Sequence, residues 1–279
     1  MKRILFAAII GLVFTSCQKQ IDATASSAST TNSNTNNTNF GVSSAVTSET
    51  IKQGLLAYYT FSGNATDASG NANDGIVNGA KLVADRHGIA SSAYSFASVT
   101  GTNSISINTL HTNLVTYSVS GWFQKASSSV NNGGTIFAGD HPANGPGDLN
   151  FAIAPTNSAE WNAKNQTNIS VGITTETVPN KSNYSDGVWH SFVVTFNAST
   201  NALAPANFQI YIDGVLAPTQ GLYKSLLTQD SAPVNSSSLP IILGNSQGQN
   251  NAFPGSLDDV RVFNRVINQS EVSFLANEK

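Results

Sequence analysis

From residue 51 onward the chain alternates short apolar stretches with breaks rich in Gly, Asn and Ser. Leu55 to Phe61 is apolar and aromatic and ends at Ser62-Gly63-Asn64. Tyr117 to Gln124 alternates, with Tyr117, Val119 and Phe123 on one parity, and Trp189 to Phe196 sets His190, Phe192, Val194 and Phe196 on one face. Successive strand residues face opposite ways, so these patterns predict strands with one face in a core. Phe208, Ile210 and Ile212 share a face, and Asp213-Gly214 supplies the turn of a tight hairpin into Val215-Leu216. Ile241 to Gly244 and Leu257 to Phe263 complete the clear strands. One helix is convincing, at the C-terminal end. Asn268 is its N-cap with Glu271 three residues on, and Ile267 and Val272 hold the staple positions. Strands at short intervals without interleaved helices predict an all-β, two-sheet sandwich.

The first fifty residues have a different pattern. Met1-Lys2-Arg3 precedes an apolar run from Ile4 to Phe14. That run is too short for a bilayer, which needs about 20 residues, but it suits the core of a signal peptide. Phe14-Thr15-Ser16-Cys17 resembles the lipobox of bacterial lipoproteins. The resemblance implies removal of residues 1–16 and acylation of Cys17 as the mature N-terminus. No later segment is long enough to span a membrane, so lipid on Cys17 would be the sole anchor. The expected location is the bacterial cell envelope, as an outer-membrane lipoprotein facing the surface or the periplasm. Between Thr24 and Thr50, nineteen of twenty-seven residues are Ser, Thr or Asn. Such a stretch has little apolar surface to offset the entropy of ordering, so residues 17–50 are expected to be a tether. A flexible chain of roughly 33 residues reaches about 30 Å r.m.s.. Residues 51–279 are left for one domain.

Composition narrows the functions. With 13 Lys+Arg against 16 Asp+Glu, the net charge is −3, and losing Lys2 and Arg3 with the leader would leave the side chains at −5. No basic cluster lies beyond Lys2-Arg3, so a nucleic-acid partner is not expected. A single cysteine excludes a disulfide framework and a Cys-based zinc site.

Four local motifs, in order, carry a family resemblance. Gly54-Leu55-Leu56-Ala57-Tyr58-Tyr59-Thr60-Phe61 leads into Gly63-Asn64-Ala65-Thr66-Asp67-Ala68-Ser69-Gly70-Asn71-Ala72-Asn73-Asp74-Gly75. Val119-Ser120-Gly121-Trp122-Phe123 follows, and then Asp186-Gly187-Val188-Trp189-His190 with Tyr211-Ile212-Asp213-Gly214. Phe253-Pro254-Gly255-Ser256-Leu257-Asp258-Asp259-Val260-Arg261-Val262-Phe263-Asn264-Arg265 closes the set. Across residues 54–275 the chain resembles the laminin-G-like, concanavalin A-like lectin/glucanase superfamily. The resemblance implies an antiparallel two-sheet jelly roll with a concave face. Its members include lectins, adhesion modules and glucan-cleaving enzymes, so the site must decide the function.

Retaining glycosidases need two carboxylates about 5.5 Å apart. Enzymes of this fold carry them on one strand as Glu-x-Asp-x-(x)-Glu. Here Glu160, Glu176, Glu271 and Glu278 have no acidic residue at i±2. A hydrolase would need an atypical pair, drawn from Asp140, Asp148 and Glu160. Gly-x-Ser-x-Gly spacing occurs once, at Gly244-Asn245-Ser246-Gln247-Gly248, and is not followed by the helical pattern that a nucleophile elbow requires. His190 is expected in the core, and His87, His111 and His141 have no ligand-spaced partner.

Asp67, Ser69, Asn71, Asn73 and Asp74 offer oxygens suited to a hard cation such as Ca2+. The resemblance adds Asp258-Asp259, which some relatives use with this loop to hold a structural calcium. The alternative is an Asx-turn loop whose side chains satisfy backbone amides. A sugar site would need an aromatic platform with polar partners. Trp161, in a polar segment without strand alternation, is the leading candidate, with Glu160, Tyr184 and His141, whereas Trp122 and Trp189 are read as core. The favoured expectation is a non-catalytic module that binds glycan or a glycan-bearing surface. The alternatives are a module binding a cell-surface protein and the atypical hydrolase.

Overall fold

A computed structural model describes residues 46–97, 101–111, 116–125, 133–139, 149–153, 159–164, 170–175, 184–197, 208–217, 219–224, 240–246 and 252–279. The chain divides into Met1–Ser44, which lies outside the described residues, and Ala45–Lys279. The second unit thus begins a few residues before the predicted boundary. Thr47 and Thr50 exchange backbone and hydroxyl hydrogen bonds that start a short 3-10 turn at Thr50–Lys52, whose Ile51 is buried.

Sixteen strands and one helix lie among the described residues. They run β1 Leu55–Tyr59, β2 Ile76–Asn78, β3 Lys81–Val83, β4 Ala93–Ser95, β5 Ser104–His111, β6 Thr116–Lys125, β7 Gly134–Gly139 and β8 Leu149–Ile153. Then come β9 Ala159–Lys164, β10 Ser170–Thr175, β11 Trp189–Asn197, β12 Phe208–Ile212, β13 Val215–Leu216, β14 Thr219–Lys224, β15 Pro240–Leu243, β16 Gly255–Phe263 and α1 Gln269–Ala276. One antiparallel sheet has the order β13-β12-β11-β6-β16-β4-β3, with β1 also on β16; the other has β14-β10-β9-β8-β7-β15-β5-β2. This is the predicted two-sheet sandwich.

The predicted parities hold in the core. Tyr117, Val119 and Phe123 are buried, as are Phe192, Val194 and Phe196 on the neighbouring strand. Gly121 belongs to the same inward row and pairs with Phe192. A Cβ there would stand 2.9 Å from the Phe192 ring, so glycine gives that ring its space. Phe192 then meets Phe151 of the opposite sheet at 5.2 Å between centroids. Fully buried rings of this kind contribute about 1.5–3 kcal/mol each. At the hairpin, Asp213 and Gly214 both take positive φ (51° and 77°), as a two-residue turn matching strand twist requires.

The last strand shows how an apolar pattern encodes an irregularity. Leu257 points inward, and so do Val260 and Val262. Strict alternation cannot join 257 to 260, so an extra residue must intervene. The ladder to β6 shifts between Asp258 and Arg261, and Asp259 adopts φ 48°. Outside this sheet, α1 covers a second apolar cluster of Ile51, Val193, Tyr211, Phe263, Ile267, Val272 and Leu275. Its predicted capping box is present. Asn268 accepts from the amides of Ser270 and Glu271, while Glu271 accepts from the Asn268 amide at 2.8 Å.

Candidate functional site

The loop after β1 is organised around one carboxylate. Asp67 Oδ1 accepts from the amides of Tyr58 (2.9 Å) and Ser69 (2.8 Å), and Oδ2 accepts from the Ser69 hydroxyl (2.8 Å) and the Asn73 amide (3.0 Å). Burial alone would raise the Asp67 pKa, but these donors outweigh it and hold the carboxyl below its usual range. Asp74 accepts from the Asp67 amide at 2.8 Å, and the side chains of Asn71 and Asn73 donate to the Leu56 carbonyl. Asp67 and Asp74 thus accept from backbone amides, whereas Asn71 and Asn73 are engaged through their side-chain nitrogens.

Asp258 and Asp259 face a different partner. Both carboxylates bind Arg86 Nη1, that of Asp258 at 2.7 Å. The Arg86 guanidinium lies 4.9 Å from the centre of the Trp122 ring, and its side chain is only 8% exposed. Tyr58 links this cluster to the loop, with its amide on Asp67 and its hydroxyl donating to Asp259 Oδ1 at 2.6 Å. Burial, followed by the Asp259 charge, pushes Asp258 up to about 7, while Arg86 pulls it down. No group of three or more His, Cys, Asp or Glu side chains among the described residues converges as a metal site. Asp67, Asn71, Asp74, Asp258 and Asp259, the residues expected to hold calcium, each have a protein partner in this arrangement. The positive charge facing the paired carboxylates is Arg86, which the sequence reading did not single out. Trp122 is also corrected from core to the outer face, half-buried beneath Arg86, and Trp189 is half-buried on the opposite parity to His190.

Beside this cluster lies a hollow of about 460 Å³. Ile51, Leu55 and Ala68 give it an aliphatic wall, and Ser69, Asn71, Arg261 and Glu278 give it a polar one. Arg261 is 5% exposed, and its guanidinium stacks 3.8 Å from the centre of the Tyr58 ring. Glu278 holds Arg261 Nη2 through Oε1 at 2.9 Å and Oε2 at 2.8 Å. Sequence reading missed this site because its walls come from residues 48–71 and 261–278.

The predicted glycan residues are not gathered there. Tyr184 is 5% exposed and packs edge-on against Phe123 at 6.2 Å and His190 at 5.8 Å. It is a core residue, which corrects its expected role as a platform. Trp161 and Glu160 belong to strand β9 rather than an irregular segment, with Trp161 opposite Phe151 and Glu160 opposite Ala152. His141, Asp140, Asp148, Glu176 and Cys17 lie outside the described residues. His190 is in the core as expected. Its Nδ1 lies 2.9 Å from Asp213 Oδ2 and its Nε2 3.3 Å from Asp186. Burial opposes the charged imidazole, but Asp213 and Asp186 prevail and raise its pKa. Nearby, fully buried Lys125 donates to Ser185 Oγ at 2.7 Å, and burial lowers its pKa.

A family model described as concanavalin A-like lectin/glucanases superfamily matches residues 99–273. Among curated protein sequences, nothing matches. The binding domain of botulinum neurotoxin serotype D is similar in structure, with TM-score 0.56 and 17% identity over 82% of this chain and 52% of that one. The chain thus spans about half the length of that structure. Domain 4 of AbnA, a GH43 extracellular arabinanase from Geobacillus stearothermophilus, determined in complex with arabinotriose, is similar with TM-score 0.53 and 17% identity. That match covers 80% of this chain and 98% of that domain.

Proposed function

Because the chain belongs to the concanavalin A-like lectin/glucanase superfamily, we propose that it is a non-catalytic glycan-binding module, anchored outside the cytoplasm by lipid on Cys17. The observation that carries this reading is the commitment of seven of the described carboxylates. Asp67 is held by backbone donors, Asp258 and Asp259 by Arg86, and Asp186 and Asp213 by His190. Glu271 is held by Arg265 and Glu278 by Arg261. A glycosidase needs two carboxyls facing a substrate across open space, and these face their own cations and amides instead. The similarity to an arabinanase domain solved with arabinotriose agrees with a carbohydrate ligand. A tether of residues 17–44 would hold the sandwich clear of lipid headgroups.

A glycan array probed with the full chain, with calcium and with EDTA, tests the reading. Binding in both conditions is expected. A blank array in both conditions, or release of sugar from a bound polysaccharide, overturns it. A protein partner is the second reading, favoured by Val215 and Leu216, which are 67% and 48% exposed on the edge strand β13. It requires crosslinking on intact cells to trap a partner through that strand.

A further inference from the structure

The hollow between β1, the Asp67 loop and the end of the chain has the chemistry of a sugar subsite. Among the described residues, Arg261 Nη2 is engaged by Glu278, and none accepts from Nε or Nη1. The side chain cannot swing away, because Tyr58 stacks against it and Glu278 grips its edge. Asn71 spends its Nδ2 on the Leu55 and Leu56 carbonyls and Ser69 Oγ, while its Oδ1 accepts nothing from the described residues. Fixed donors and fixed acceptors thus border one space, with Ile51 and Leu55 forming the apolar side.

A sugar hydroxyl both donates and accepts, and a sugar ring has an apolar C–H face, so each wall finds its complement. An anionic group would gain Arg261, and Lys52 also lines the hollow with its charge paired to Glu49 at 2.8 Å, but the anion would meet the Glu278 carboxylate and the Asn71 carbonyl oxygen. A cation would meet Arg261. We propose that this hollow is a subsite for a neutral monosaccharide unit, with Arg261, Asn71 and Glu278 as its hydrogen-bonding residues. The proposal rests on the glycan-binding reading and gives it a place. It puts recognition on the outer face of the β16-containing sheet, at a distance in sequence from the Trp161 region. The hollow's volume lies within the range common for small-molecule sites.

The test uses the full chain with glucose, galactose, mannose and arabinose as neutral probes and galacturonic acid as the charged one. Backbone amide shifts of Leu55, Ala68 and Ser69 are followed by NMR. At least one neutral sugar should move these amides, with galacturonic acid at least tenfold weaker. Ala68 is exposed and its side chain makes no described hydrogen bond, so Ala68→Phe should fill the hollow and leave the fold intact, as a melting curve would check. It should weaken the sugar at least tenfold, and Glu278→Gln should weaken it severalfold. Sugar binding unchanged in both variants overturns the subsite and leaves the glycan reading standing. Tighter binding of galacturonic acid overturns the neutral assignment. Silent amides with a positive glycan array sink the subsite alone, and silent amides with a blank array sink both.

Discussion

Arg86 Nη1 lies 2.7 Å from the Asp258 carboxylate, although 172 positions separate the two residues in sequence. The β-bulge at Asp258–Asp259 turns two neighbouring acids toward one guanidinium, and Trp122 closes its face. Two adjacent buried carboxylates repel each other unless a cation stands between them. Here a side chain from the loop between β3 and β4 supplies it.

Arg86→Gln should therefore destabilise the domain by about 3–5 kcal/mol, because it leaves buried acids uncompensated. A domain of this size loses about 2–4 °C per kcal/mol, so the melting temperature should fall by about 10 °C. The unsubstituted protein should melt at the same temperature in calcium and in EDTA, whereas the variant should regain stability when calcium is added. A calcium-dependent melt of the unsubstituted chain would contradict the assignment of Arg86 as the internal cation.

His190 gives a pH dependence with a defined sign. Its folded pKa is raised by Asp213 and Asp186 against burial, relative to about 6.5 in an unfolded chain. The stabilisation is complete below about pH 6.5 and disappears as pH rises through the folded value. Asp258, raised to about 7, acts in the same direction, because its ionisation also costs the folded state. Urea unfolding at pH 6 and pH 9 should show lower stability at the higher pH, and His190→Gln should remove part of that difference. An unchanged difference in the variant would show that the clamp contributes nothing.

The helix cap offers a local test. Asn268→Ala removes the acceptor for two amides and should cost about 1 kcal/mol, or about 2–4 °C in melting temperature. Arg265 should keep Glu271 in place, since it binds both carboxylate oxygens, at 2.8 and 2.6 Å. Circular dichroism melts of the variant check the magnitude, and a loss of helix at room temperature would exceed what one cap explains.

Anchoring is tested at Cys17. Cells expressing the full chain should incorporate labelled palmitate into it, and Cys17→Ser should abolish labelling and move the protein from the detergent phase to the aqueous phase. Equal partitioning of both forms would remove lipid as the anchor.

The sequence by itself determined the sandwich, because a strand's period of two writes its buried face directly into residue order. The rows Tyr117-Val119-Phe123 and Phe192-Val194-Phe196, the Asp213-Gly214 turn and the Asn268–Glu271 cap were all readable that way. Even the bulge is implicit in the spacing of Leu257, Val260 and Val262. Strands such as β2 and β3, three residues each, and polar β9 were too short or too mixed for that signal. Tertiary structure alone decided the partners of each charge. Asp258 is a calcium-ligand candidate in sequence, and only the fold brings Arg86 to it, just as only the fold sets Arg261 between Tyr58 and Glu278 beside a hollow. Periodicity is a local property of the chain, whereas Coulombic pairing depends on distances that only folding sets.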